Sequence, residues 1–178
     1  MRQSMRWVAV IGLVLSVEMG AARAGEEHHA APSAVSLAEF EQIKHLAGRW
    51  EGTTQHGEGA EEPAVVEYKV TSGGSVVVET LFPNTPHEMV LVYHANKGKL
   101  SMTHYCMLGN QPELELTSAN SQQLEFSLSS GSSIPSSEEH MHALKLAWTD
   151  PNRLTQVWTS YKDGKPAFSS TFRLARAH

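Results

Sequence analysis

The sequence predicts an all-β protein: an antiparallel up-and-down barrel of about ten strands preceded by one short N-terminal helix. Three observations predict it. Short segments with apolar residues at every second position recur from Trp50 to Leu174. Turn-forming clusters separate them, among them Gly73-Gly74, Asn96-Lys97-Gly98, Gly109-Asn110, Asp150-Pro151-Asn152 and Lys162-Asp163-Gly164-Lys165. Beyond the N-terminal leader, only Leu37–Ala47 carries a helical period. A run of hairpins leaves an unpaired edge at each end, and closing the sheet into a barrel removes both.

The first element is not part of that barrel. Arg2 and Arg6 give a positive start, Trp7–Val17 is an apolar core, and Ala22-Arg23-Ala24 fits a small-x-small cleavage site. Residues 1–24 therefore read as a secretory signal peptide whose apolar run, broken at Glu18, is too short to span a bilayer. No cysteine stands beside the cut, which argues against a lipoprotein anchor. Removal takes away three arginines and one glutamate, moving the formal charge from −5 to −7. The expectation is a secreted or periplasmic protein with no transmembrane segment in the mature chain. Its acidic, unclustered charge offers no footprint for nucleic acid.

Residues 25–34 are small and polar and read as a flexible lead, its His28-His29 pair included; residues 35–178 form the barrel domain. Ser36 and Glu39 suggest a capping box, and Leu37, Phe40, Ile43, Leu46 and Ala47 stripe a helix of about three turns ending at Gly48. Strands are expected over Trp50–Gln55, Ala64–Thr71, Ser75–Phe82, His87–His94, Lys99–Met107, Glu113–Thr117, Leu124–Ser129, Glu139–Thr149, Leu154–Tyr161 and Ala167–Leu174. The Ser-rich connection Ser129–Ser137 is expected as a mobile loop at the barrel mouth. Alternation assigns inward faces: Ala64, Val66, Tyr68 and Val70; Leu100, Met102, His104 and Cys106; His140, His142, Leu144, Leu146 and Trp148.

The helix leading into Gly48-Arg49-Trp50 resembles the start of a calycin barrel, the superfamily of lipocalins, fatty-acid-binding proteins and nitrobindin-like proteins. The resemblance implies that Trp50 plugs the closed end against an arginine from the last strand, here Arg173 or Arg176. The segment His104-Tyr105-Cys106 followed by Gly109-Asn110-Gln111-Pro112 is similar to that of exported bacterial lipocalin-like proteins of unassigned function. Nitrobindin-like proteins ligate haem through a histidine near the C-terminus. No histidine stands between Asn152 and Ala177, and His178 is terminal, so the resemblance does not carry haem binding over.

Candidate chemistry rests on inward histidines. His140 and His142, two apart on one strand, place both imidazoles on one side, and His104 on another strand adds a third. Three imidazoles with an open position suit Zn, Cu or non-haem Fe; the competing explanation is hydrogen-bonded histidines at strand ends. Cys106 with His104 or His140 as base lacks an oxyanion hole and an orienting group, and a small buried thiol explains it more simply. No dinucleotide, phosphate-loop, zincin or calcium-loop motif occurs.

The reading that results is an exported, non-catalytic barrel binding a small, partly apolar molecule, in a lumen wide enough for a cavity. Its expected walls are Tyr68, Met102, His104, His142, Leu144 and Trp158. The alternatives are a metal-binding protein or metalloenzyme using His104, His140 and His142, or a structural domain with a filled core.

Overall fold

Alternating β-branched, aromatic and polar residues after Gly48 cannot bury one apolar face unless the chain forms a sheet that folds over itself. The computed structural model, which describes residues 37–96 and 98–177, shows that solution. Among these residues one α-helix, α1 (Ala38–Lys44), precedes ten strands: β1 (Gly48–His56), β2 (Glu61–Thr71), β3 (Val76–Leu81), β4 (Met89–Asn96), β5 (Lys99–Tyr105), β6 (Glu113–Asn120), β7 (Gln123–Leu128), β8 (His140–Asp150), β9 (Arg153–Lys162) and β10 (Lys165–Arg176). Each strand pairs antiparallel with its chain neighbours, and β1 also pairs β10, so the barrel is closed. The expected signal peptide, the flexible lead and Ser36 of the capping box lie outside the described residues. No helix among the described residues is long and apolar enough to cross a membrane.

The helix is shorter than the stripe suggests. It stops at Lys44, Leu37 is its N-cap without a side-chain bond, and His45–Ala47 turn into β1. The apolar stripe still does its work: Phe40, Ile43 and Leu46 are buried across one end of the barrel. At the opposite end lie the connections 57–60, 82–88, 106–112, 129–139 and 163–164, which form the mouth.

Closure depends on close approach of the first and last strands. Gly52 faces Leu174, and a Cβ at Gly52 would collide with the Arg173 carbonyl oxygen, so a side chain there would push β1 off β10. Inside, side chains fill the lumen. Tyr93, Met102, Leu114, Leu124, Phe126, Leu144 and Leu146 have at most 1% of their surface exposed, so the wide lumen expected from ten strands is packed, not hollow.

Candidate functional site

At the closed end the β1–β10 register sets Trp50 opposite Arg176. The Arg176 guanidinium lies over the indole, 4.4 Å from the ring centroid. It donates to the carbonyls of Ala47 and His45 at 2.8 Å each, and Trp50 Nε1 donates to the Leu46 carbonyl at 2.8 Å. Gly48 makes room: its φ is +124°, and a Cβ there would meet Arg176 Nη1 at 3.2 Å. Arg173 is not Trp50's partner. It stands opposite Thr53, three register positions along, and pairs with Glu61 at 3.0 Å on the exposed face.

Above this plug lies a buried polar cluster. Glu79, between inward Val77 and Leu81 on β3, is fully buried. Its carboxylate accepts from Tyr93 Oη at 2.6 Å and from Gln156 Nε2 at 2.7 Å; Gln156 Nε2 also reaches Tyr68 Oη at 2.6 Å. Trp158 Nε1 donates to Gln156 Oε1 at 3.2 Å. Burial raises the Glu79 carboxyl from 4.5 to about 7, outweighing the bonds from Tyr93, Gln156 and Tyr68 that favour its charged form. Burial first, then the charge of Glu79, raises both Tyr68 and Tyr93. Among the wall residues expected from sequence, Tyr68 belongs to this cluster, while Met102 and Leu144 are sealed in apolar packing.

Towards the mouth, Trp158 meets His104, whose ring lies 5.0 Å from it, centroid to centroid. His104 is 1% exposed, and neither of its ring nitrogens has a hydrogen-bond partner. Burial lowers its pKa from 6.5 to about 4, so the imidazole is neutral above that pH. These two residues line a cavity of about 30 Å³ with Leu81, Phe82, Met89, Met141 and Phe172, and with His56 and Ser170 at its rim. Thr54 and Ser160, on inward faces of β1 and β9, also carry buried hydroxyls without partners. Phe82 has φ of 53°, a left-handed backbone that a bulky residue adopts only under strain, and its ring rests on Phe172 at 5.6 Å.

His140 and His142 do not join His104. The β8–β9 register shifts between Met141 and Ala143, so a β-bulge falls at His142. Met141 then pairs buried Ser160 and takes the inward place, while His140 pairs Tyr161 on the other side of the sheet. His142 stacks on that same Tyr161 ring, at 3.8 Å and 16°. Both imidazoles thus stand on the outer side of the sheet, His140 buried at 2% exposure and His142 half-exposed, and neither lines the mouth cavity. Among the described residues no three His, Cys, Asp or Glu side chains form a metal-sized group. His140 Nδ1 meets the Glu138 carbonyl at 2.7 Å, and His140 Nε2 lies 3.2 Å from His142 Nδ1. Burial, and secondarily His140, lowers the pKa of His142. Cys106 falls just past β5, half-buried in the turn to β6, with its thiol pKa raised by burial.

Two larger clefts, of about 600 Å³ each, open to solvent near the closed end. One runs between α1 and the turns at Ser121-Gln122 and Asp150-Pro151, over Trp148 and Arg176. The other follows β8, β9 and β10 past Trp148, Arg153 and Arg173. Both are walled by more apolar than polar surface and are open, whereas the mouth cavity presents a buried polar group with no partner, the more costly arrangement.

Sequence reasoning passed over Glu79, Met89 and Met141. The first was readable, since Val77-x-Glu79-x-Leu81 puts the carboxylate on the apolar face. Met141 was hidden by the bulge.

No family model and no curated protein sequence matches the chain. Among solved structures, the chain is similar to a protein of unknown function from the DUF3598 family of Nostoc punctiforme. The TM-score is 0.53 at 11% identity, covering 76% of this chain and 49% of that one. The chain therefore spans about half the length of that protein, and the likeness is one of fold: a closed antiparallel barrel of ten strands with a structural neighbour in that family.

Proposed function

We propose that this is an exported, calycin-like barrel that binds a small, neutral, partly apolar molecule at its mouth without transforming it. The observation that carries the reading is His104: a sealed imidazole with two unpartnered nitrogens, facing a cavity walled by Leu81, Phe82, Met89, Met141, Trp158 and Phe172. Leaving such a group unsatisfied costs about 1–3 kcal/mol, which a ligand carrying one hydrogen-bonding atom would recover. A neutral imidazole offers one donor and one acceptor, and no Asp, Glu, Lys or Arg among the described residues lines the cavity, so a neutral molecule is preferred over an ion.

The resting cavity of about 30 Å³ holds little more than a water, given the roughly 10–15 Å³ that one requires. Larger ligands enter by displacing Met89 and Met141, whose unbranched thioethers repack readily, and by releasing the strained Phe82. Indole is a suitable probe. It should raise the melting temperature of the wild-type chain and not that of His104→Phe, which should itself melt higher without ligand because an unsatisfied polar group is gone. Indole binding that is equal in both chains would overturn the reading.

A further inference from the structure

We infer that His140 and His142 form a site for one imidazole-seeking divalent transition-metal ion on the outer wall of β8, separate from the mouth cavity. On a regular strand, residues two apart stand about 7 Å apart at Cα with parallel side chains. The bulge at His142 instead brings His140 Nε2 and His142 Nδ1 to 3.2 Å, with the rings tilted 49° to one another. Two Zn–N bonds of about 2.0–2.1 Å meeting near the tetrahedral angle separate their nitrogens by about 3.3 Å. The pair already has the spacing of two adjacent ligands.

Both rings are also held from behind. The Glu138 carbonyl can only accept, so the proton of neutral His140 sits on Nδ1 and the lone pair on Nε2 points at His142. A backbone carbonyl on the far nitrogen is the usual support for a metal-binding histidine. Asn110 Nδ2 fixes that support, donating to Glu138 Oε1 and to the Glu139 carbonyl at 2.8 Å each. Tyr161 holds the His142 ring by stacking.

Without metal, His142 Nδ1–H donates to His140 Nε2. On binding, that proton moves to His142 Nε2, and both lone pairs face the ion with no net proton released. No third His, Cys, Asp or Glu completes the set among the described residues, so water fills the remaining positions, reached from the side of half-exposed His142. Affinity should run higher for Cu2+ than for Zn2+.

Calorimetric titration of the full chain with Zn2+, and electron paramagnetic resonance with one equivalent of Cu2+, test the site. His142→Gln leaves a half-exposed position filled and should fold as the wild type does, checked by circular dichroism. It should weaken the tightest Zn2+ event by about ten- to a hundredfold and remove the two-nitrogen splitting from the Cu2+ spectrum. His104→Gln should change neither. Equal Zn2+ affinity in the wild type and His142→Gln, a wild type that takes up no Zn2+, or an equal loss in His104→Gln would each overturn the site.

Discussion

A buried carboxylate held by two tyrosines and a glutamine, with no ion pair among the described residues, makes Glu79 a costly group to keep charged. Raising its pKa from 4.5 to about 7 is equivalent to about 3 kcal/mol withheld from the fold at alkaline pH. Glu79→Gln should therefore unfold later than the wild type in urea at pH 8, by up to that amount, and show no such gain at pH 4; equal gains at both would refute the assignment. The two arginines of β10 make a second contrast. Arg176→Ala loses the indole contact and its bonds to the His45 and Ala47 carbonyls, and should cost about 2–3 kcal/mol. Arg173→Ala removes an exposed ion pair and should change stability by less than about 1 kcal/mol, read in the same urea titrations.

Elements are legible in the sequence wherever the period is unbroken. β2, β3, β4 and β5 pair with one another without a bulge, so alternation by itself places Tyr68 and His104 inside. β8 cannot be read in this way. Its bulge comes from how it pairs with β9, a property of two strands at once, and one extra residue exchanged the sides of Met141 and His140. The helix was overextended for a related reason: an apolar stripe marks which face is buried, and Leu46 is buried from a turn as well as from a helix. Gly52 shows a constraint that alternation does not announce. Gly52→Ala must separate β1 from β10 and should destabilise by about 1–3 kcal/mol or more, whereas Gly57→Ala, with nothing near its Cβ, bears only the cost of a positive φ. If both variants melted together, the close approach at Gly52 would not be what closes the ring.

Across the whole molecule, Glu79 and His104 pull the pH dependence of stability in opposite directions. Glu79 binds its proton more tightly folded than unfolded, so its contribution falls as pH rises from about 4.5 to about 7. His104 binds its proton less tightly folded than unfolded. Its contribution is complete above 6.5 and is lost as pH falls towards about 4. Between about 4.5 and 6.5 the two slopes cancel. Relative to the wild type, Glu79→Gln should therefore gain stability with pH across that window, by about 1.4 kcal/mol per unit, and His104→Phe should lose it at the same rate. Urea titrations at three pH values across the window give both difference profiles, and flat profiles would show that neither group titrates as its burial dictates.

The half-buried turn beyond β5 has a practical use. Its Cys106 is the chain's one thiol, and its raised pKa keeps it protonated and slow to react at neutral pH. In mildly alkaline buffer a methanethiosulfonate dye, which leaves amines untouched, can couple there alone, two residues along the backbone from His104. Fluorescence from that dye would then report occupancy of the mouth in real time, with no engineered cysteine and no second labelling position to subtract.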